Sequence, residues 1–124
     1  MKKEILIIDD DVIYRKIIRK ILCGSYDTIL TESIEEASNY ICNNTPDLII
    51  ADLNLPGIEG EELINVIQQN LNKKDVPIMV ISGMDDDKLK NRLFGLGISD
   101  FLTKPVDRIN LKEKITNLIG NQEF

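Results

Sequence analysis

Short, almost uninterrupted apolar runs return at regular intervals along the sequence, and they constrain the fold more than any other feature. Three are strong and two are weaker: residues 5–8, 48–50 and 78–81, then residues 28–30 and 101–102. Apolar runs of this length without alternation are typical of strands buried on both faces, as in a parallel sheet. We therefore expect five parallel strands in one sheet with both faces covered.

Between these runs lie segments whose apolar residues recur three and four positions apart, as in amphipathic helices. The five stripes are Ile13, Ile17, Ile18, Ile21 and Leu22; Ala37, Tyr40 and Ile41; Leu63, Ile64 and Ile67; Leu89, Leu93, Phe94 and Leu96; and Ile109, Ile115, Leu118 and Ile119. Asp107 is placed to cap the last helix, and Gly97 to end the fourth in a left-handed conformation.

Alternating strands and helices with right-handed crossovers predict the α/β class. The expected architecture is a three-layer, doubly wound (βα)5 sandwich with a five-stranded parallel sheet in the flavodoxin-like order 2-1-3-4-5. No linker, repeat or low-complexity segment interrupts the pattern, so we expect one domain over residues 1–124.

Composition removes several classes of function. The chain carries 15 lysines and arginines against 21 aspartates and glutamates, and its net charge of −6 disfavours direct binding of nucleic acid. The absence of histidine excludes Ser-His-Asp and Cys-His hydrolases, histidine-ligated zinc and a role as a phosphohistidine carrier. Any chemistry must therefore use carboxylates, hydroxyls, amides and lysine.

Two further observations bear on location. Aspartates at positions 9–11 interrupt the first apolar run where a secretion signal would continue, and no stretch reaches the length of a membrane span. Cys23 and Cys42 fall in expected helices, where buried or half-buried thiols in a reducing cytosol are favoured over a disulfide or a metal site. We therefore expect a cytoplasmic protein without a membrane partner.

Polar residues follow the expected strands at their carboxyl ends, where open parallel sheets bind ligands. They are Asp9, Asp10 and Asp11 after the first strand, Asp52 at the end of the third, Ser82 and Gly83 after the fourth, and Thr103 and Lys104 after the fifth. A lone aspartate after a strand is usually a turn or cap residue, and Asp11 suits that role. The gathered set is poorly explained in this way.

Gathered carboxylates require positive charge. Two carboxylates about 4 Å apart repel each other by roughly 4 kcal/mol at an effective dielectric constant near 20. Lys104 supplies one cation, and Mg²⁺ is the natural second because hard cations prefer carboxylate and carbonyl oxygens. Acids, a lysine, the Ser82 hydroxyl and a metal ion suit a phosphoryl group, which a carboxylate nucleophile can carry as an aspartyl phosphate.

The same residues resemble the motifs of response-regulator receiver domains of two-component signalling, which have the CheY-like fold. The resemblance covers residues 3–119. It rests on residues 5–11, on Asp52 with the following Pro56, Gly57 and Gly60, on residues 80–83 and on residues 97–105. Each stretch is weak alone, but together they fall in register on the expected strand ends.

The resemblance implies a role for each residue of the set. Asp52 would accept a phosphoryl group from a phosphohistidine on a sensor histidine kinase or phosphotransferase protein. Mg²⁺ or Mn²⁺ would be ligated by Asp10, Asp52 and the backbone carbonyl of Asn54, with Asp9 acting through water. Lys104 would pair first with the acceptor carboxylate and then with a phosphoryl oxygen.

The resemblance also implies a conformational switch. Ser82 would bind the phosphoryl group, and Phe101 would turn inward, altering the surface of the fourth helix, fifth strand and fifth helix for a downstream protein or effector domain. A plain core aromatic is the alternative for Phe101. The chain would then be a signalling switch that assists only its own phosphorylation and dephosphorylation, with homodimerisation on phosphorylation as an option. Asn54 and Met84 occupy positions that tune dephosphorylation in this family.

Three rival classes are weaker. A haloacid-dehalogenase-like phosphatase would use Asp9 as its nucleophile and would leave Asp52 unexplained. A nucleotide or flavin binder is disfavoured because no P-loop is present and Gly95-Leu96-Gly97 stands at a helix end. An inert scaffold is disfavoured because the whole polar set is present. A stand-alone regulator and a receiver segment of a longer regulator or hybrid sensor kinase both stay open.

Overall fold

Strands and helices alternate without exception in the computed structural model, which describes residues 2–120. The strands are β1 Glu4–Ile8, β2 Asp27–Thr31, β3 Leu48–Asp52, β4 Ile78–Ser82 and β5 Asp100–Thr103. The helices are α1 Val12–Leu22, α2 Ile34–Asn43, α3 Gly60–Leu71, α4 Asp87–Gly95 and α5 Arg108–Ile119. All five expected strands and all five expected helices are therefore confirmed.

The strands form one parallel sheet in the order β2-β1-β3-β4-β5. Alternate side chains of each strand face opposite layers, and the apolar runs fill both. Leu6 and Ile8 of β1 face the core under α2, α3 and α4, whereas Ile5 and Ile7 face the core under α1 and α5. The fold is the predicted three-layer doubly wound sandwich.

Parallel pairing carries the strand ends to one edge of the sheet. Asp52, the last residue of β3, pairs with Ile81, and Ser82, the last residue of β4, pairs with Thr103. Asp9 continues the pairing beyond β1, because its N–H donates to the carbonyl of Thr31 at 3.0 Å. The sheet therefore delivers the polar residues of four loops to a single rim.

Side-chain caps set where the helices begin. The Asp11 carboxylate accepts from the backbone N–H groups of Ile13 and Tyr14, and Asp107 accepts from that of Asn110, which confirms both expected caps. Gly97 follows α4 with φ +107°, a conformation that favours glycine.

The helical stripes contain four wrong assignments. Ile13, Ile17, Phe94 and Ile109 are 69%, 41%, 44% and 67% exposed, although the sequence pattern grouped them with core residues. The buried face of α1 centres on Ile18 and Leu22, and Ile13 lies five positions before Ile18, about 140° around the helix. Ile109 is similarly displaced from the buried residues of α5.

The two cysteines are also exposed rather than buried or half-buried. Cys23 follows α1 as its C-cap residue instead of lying within the helix. Cys42 lies in α2 one position after the buried Ile41, about 100° around the helix, and its Sγ is 3.5 Å from Oδ1 of Asn70.

Across residues 2–120, no helix has both the length and the apolar character that a membrane crossing requires.

Candidate functional site

Three carboxylates meet at the carboxyl edge of the sheet. One oxygen from each of Asp9, Asp10 and Asp52 lies within 4.8 Å of the other two. Asp9 and Asp52 are only 2% and 4% exposed, whereas Asp10 is open to solvent. The structure thus brings together the three acids that the sequence placed at one rim, with two of them largely removed from water.

Backbone N–H groups in the loops after β1 and β3 hold the two buried carboxylates. Oδ1 of Asp9 accepts from the N–H of Asp11 at 2.9 Å. Oδ1 of Asp52 accepts from the N–H of Asn54 at 3.0 Å. Each acid therefore uses its Oδ1 to stabilise the loop that follows it, and its Oδ2 takes no part in that hydrogen bond.

Lys104 provides the positive charge that the sequence required. Its Nζ lies 3.2 Å from Oδ2 of Asp52, and its backbone N–H donates to the carbonyl of Ser82 at 2.8 Å. Burial lowers the pKa of Lys104, but the hydrogen bond to Asp52 and the charges of Asp52 and Asp9 outweigh burial and raise the pKa. The ammonium is therefore firmly protonated beside Asp52.

One ammonium does not balance the cluster. Burial is the largest cause that raises the pKa of Asp9 to about 7, and the charge of Asp52 and the hydrogen bond with it add to that effect. The hydrogen bond from Asp11 and the charge of Lys104 act in the opposite direction. An all-oxygen donor set with this excess of negative charge fits a hard divalent cation such as Mg²⁺.

Ser82 and Phe101, the expected switch residues, are both buried, at 1% and 7% exposure. Oγ of Ser82 accepts from the N–H of Met84 at 3.0 Å. The ring of Phe101 belongs to the core under α2, α3 and α4, and Nζ of Lys90 lies 5.2 Å from its centroid. Lys90 also forms an ion pair of 2.5 Å with Asp85 in the loop after β4.

Tyr14 is a residue of this site that sequence reasoning missed. Tyr14 lies in the first turn of α1, and its ring centroid is 4.3 Å from Nζ of Lys104. The sequence stripe omitted position 14, although it lies four positions before the buried Ile18, about 40° around the helix, and its separation of 90 residues from Lys104 leaves no signal of that contact in a local pattern. Only its place one turn after the acids at positions 9–11 could have indicated proximity to the rim.

An open groove continues from the rim between α3 and α4. It has a volume of about 290 Å³ and includes Asn54, Ser82 and Met84. Arg92 and Glu61 close part of its side with an ion pair of 2.6 Å. The groove therefore reaches the rim at Asn54 and Ser82.

The family model described as "Response regulator receiver domain" matches residues 5–116. The chain belongs to this family. Phosphoryl transfer with Mg²⁺ is the standard function of receiver domains, which interact with histidine kinases and with downstream effectors. The resemblance read from the sequence motifs is therefore confirmed.

Two curated relatives show the range of proteins that contain such a domain. Sensor histidine kinase TmoS of Ectopseudomonas mendocina is 31% identical over 116 residues, which are 94% of this chain and 12% of that protein. Phosphate regulon transcriptional regulatory protein PhoB of Pseudomonas aeruginosa is 32% identical over 104 residues, 83% of this chain and 45% of that protein. This receiver domain thus spans less than half the length of either relative.

Solved structures agree with the fold. A CheY-like response regulator receiver domain protein from Methanospirillum hungatei JF-1 superposes with a TM-score of 0.84 at 26% identity, covering 94% of this chain and 93% of that one. A response regulator receiver protein from Pseudomonas putida gives a TM-score of 0.82 at 29% identity, covering 94% and 98%.

Proposed function

We propose that Asp52 is the phosphoacceptor of this receiver domain and that a phosphohistidine is the donor. The observation that carries the proposal is the position of its buried carboxylate, which lies 3.2 Å from Nζ of Lys104 and within the cluster formed with Asp9 and Asp10. Of these three acids, Asp52 alone is paired with a lysine among the described residues. Asp52 therefore has a nucleophilic oxygen beside the Lys104 ammonium, which can bind the phosphoryl group after its transfer.

We further propose that Asp10, Asp52 and the backbone carbonyl of Asn54 hold Mg²⁺ directly, with Asp9 acting through water. The exposed Asp10 can exchange water for a metal ion with little rearrangement, while buried Asp9 lowers the electrostatic potential behind it. When bound, the ion would neutralise charge that develops on the phosphoryl oxygens. Mn²⁺ has the same preference for oxygen ligands.

The transfer step follows from these contacts. A carboxylate oxygen of Asp52 attacks phosphorus in line, the O–P bond forms and the P–N bond to the donor imidazole breaks with its electron pair on nitrogen. Lys104 then exchanges its carboxylate contact for a phosphoryl oxygen, and the Ser82 hydroxyl donates to another. These residues would assist only the domain's own phosphorylation and dephosphorylation.

The proposed switch couples Ser82 to Phe101. Ser82 would move toward the phosphoryl group and release its contact with the N–H of Met84, and the loop after β4 would follow. Because Lys90 contacts both Asp85 of this loop and the ring of Phe101, movement of the loop changes what covers that ring. The surface of α4, β5 and α5 would change accordingly, with an ordinary coupling of about 1–3 kcal/mol.

The biological setting proposed here is cytoplasmic signalling. The donor would be a sensor histidine kinase or phosphotransferase protein, and the recipient a downstream protein or an effector domain, with homodimerisation on phosphorylation as one output. The match to TmoS supports a second candidate, in which the same chemistry serves as the receiver segment of a hybrid sensor kinase.

Heteronuclear NMR with beryllofluoride, which mimics a phosphoryl group on a carboxylate, tests the proposal. With Mg²⁺ present, we expect the amide signals of Asn54, Ser82 and Met84 to shift, together with those of Phe101 and Lys90 on the switch surface. The matched control is beryllofluoride without Mg²⁺, which should leave the spectrum unchanged.

The two parts of the proposal fail separately in this experiment. A spectrum that does not respond to Mg²⁺ and beryllofluoride together would contradict the phosphoacceptor assignment. Shifts confined to the rim, with the α4-β5-α5 surface unchanged, would contradict only the switch.

A further inference from the structure

We propose that Tyr14 is a positioning residue for Lys104: its aromatic face holds the ammonium group beside the acceptor carboxylate. The inference rests on the proposed function of Asp52 and Lys104 and adds a residue to that machinery. Tyr14 itself would touch neither the metal ion nor the phosphoryl group.

The geometry places the Lys104 ammonium between two attractive groups. Nζ lies 4.3 Å from the centroid of the Tyr14 ring and 3.2 Å from Oδ2 of Asp52. A cation within about 6 Å of a ring centroid is attracted by the negative face of the ring, and more strongly when it is shielded from water. Only 18% of the Lys104 side chain is exposed, so water competes weakly for its ammonium.

The start of α1 holds Tyr14 in this position. Asp11 caps the helix, and its Oδ1 accepts from the backbone N–H of Ile13 at 2.9 Å and of Tyr14 at 3.4 Å. Arg15, the next residue, donates its N–H to the carbonyl of Asp11 at 3.0 Å. The half-buried ring therefore projects from a fixed helical turn rather than from a flexible loop.

A ring contact and a carboxylate contact have different fates during phosphoryl transfer. The Asp52 carboxylate loses most of its negative charge when it becomes an acyl phosphate, so Lys104 must exchange partners. The ring of Tyr14 does not change in that step and continues to attract the ammonium. Tyr14 would thus restrict the long, flexible lysine side chain to the rim while its anionic partner changes.

Two substitutions separate the ring face from simple bulk. Tyr14→Phe keeps the aromatic face, and Tyr14→Leu keeps an apolar side chain without it. We expect phosphorylation by acetyl phosphate with Mg²⁺ to be roughly three- to tenfold slower in Tyr14→Leu and to stay within about twofold of wild type in Tyr14→Phe. Dephosphorylation should not accelerate in Tyr14→Leu, because loss of Lys104 positioning slows both the transfer to Asp52 and the hydrolysis of the aspartyl phosphate.

NMR gives a readout that does not depend on phosphorylation. In the wild type and in Tyr14→Phe, the Hε protons of Lys104 should show an upfield ring-current shift, which Tyr14→Leu should abolish. If the shift follows this pattern but wild type accepts no phosphoryl group, the positioning contact stands and the proposed function fails. Equal phosphorylation rates in Tyr14→Leu and Tyr14→Phe, or no ring-current shift in the wild type, would overturn the inference.

Discussion

Asp52→Asn should fold as the wild type does and take up no phosphoryl group from acetyl phosphate in the presence of Mg²⁺. The amide keeps the size of the side chain and can still accept the hydrogen bond from the N–H of Asn54, so the loop after β3 is retained. It lacks the anionic oxygen that must attack phosphorus. Intact-mass spectrometry after incubation should show the added phosphoryl group on wild type and none on the variant.

Asp75→Asn is the matched control, because it removes one negative charge from an exposed residue before β4, at the opposite edge of the sheet. It should be phosphorylated at the wild-type rate. Continued uptake by Asp52→Asn to the wild-type extent would mean that another residue is the acceptor.

Asp9→Asn should raise the stability of the metal-free protein. Asp9 is 2% exposed and faces Asp52, and burial together with that charge raises its pKa to about 7. Because the folded state binds this proton more tightly than the unfolded state, the contribution of Asp9 to the stability of the wild type falls as pH rises from 3.8 toward 7. Above that range the variant should be more stable by about 1–3 kcal/mol, measured by urea denaturation with a chelator present.

The same substitution should weaken the response to Mg²⁺. A cation that binds only the folded state raises stability with its concentration, so wild type should gain stability as millimolar Mg²⁺ is added. Asp9→Asn should gain less, since the site has lost one of its negative charges. With or without Mg²⁺, the difference in the free energy of unfolding between Asp9→Asn and wild type should be smallest at acidic pH, where Asp9 is protonated.

Asp11→Asn is the control for this pair of measurements. It lies in the same triplet of aspartates, but it is exposed and outside the cluster, and asparagine caps helices about as well as aspartate. Its stability and its response to Mg²⁺ should match wild type. An Asp9→Asn variant that is less stable than wild type at pH 8 without metal would contradict the electrostatic account of the cluster.

The fold could be predicted because local signals and the overall topology agree. The apolar runs at residues 5–8 and 78–81 are too short for buried helices and have no polar face, and Asp11 and Asp107 mark helix starts by their own hydrogen bonds. Parallel pairing then brings the polar residues after the strands to one edge, whatever the detail of each loop. This is why the sequence alone predicts that Asp9, Asp52 and Lys104 lie together.

Two features could not be predicted from the sequence: which face of α1 packs against the core, and which side chains from distant segments contact each other. The spacing of Ile13 and Ile17 fits an apolar stripe, yet only tertiary packing decides that α1 rests on Ile18 and Leu22. The contact of Tyr14 with Lys104 likewise joins α1 to the loop after β5 and follows from no repeat along the chain.

The most direct test of the account is to identify which residue carries the phosphoryl group. Wild-type protein treated with acetyl phosphate and Mg²⁺ can be reduced with borohydride, which converts an aspartyl phosphate to homoserine, and then digested and sequenced by mass spectrometry. The account predicts homoserine at position 52 and aspartate at positions 9 and 10. Homoserine at position 9, with Asp52 unmodified, would contradict it and favour a phosphatase-like nucleophile.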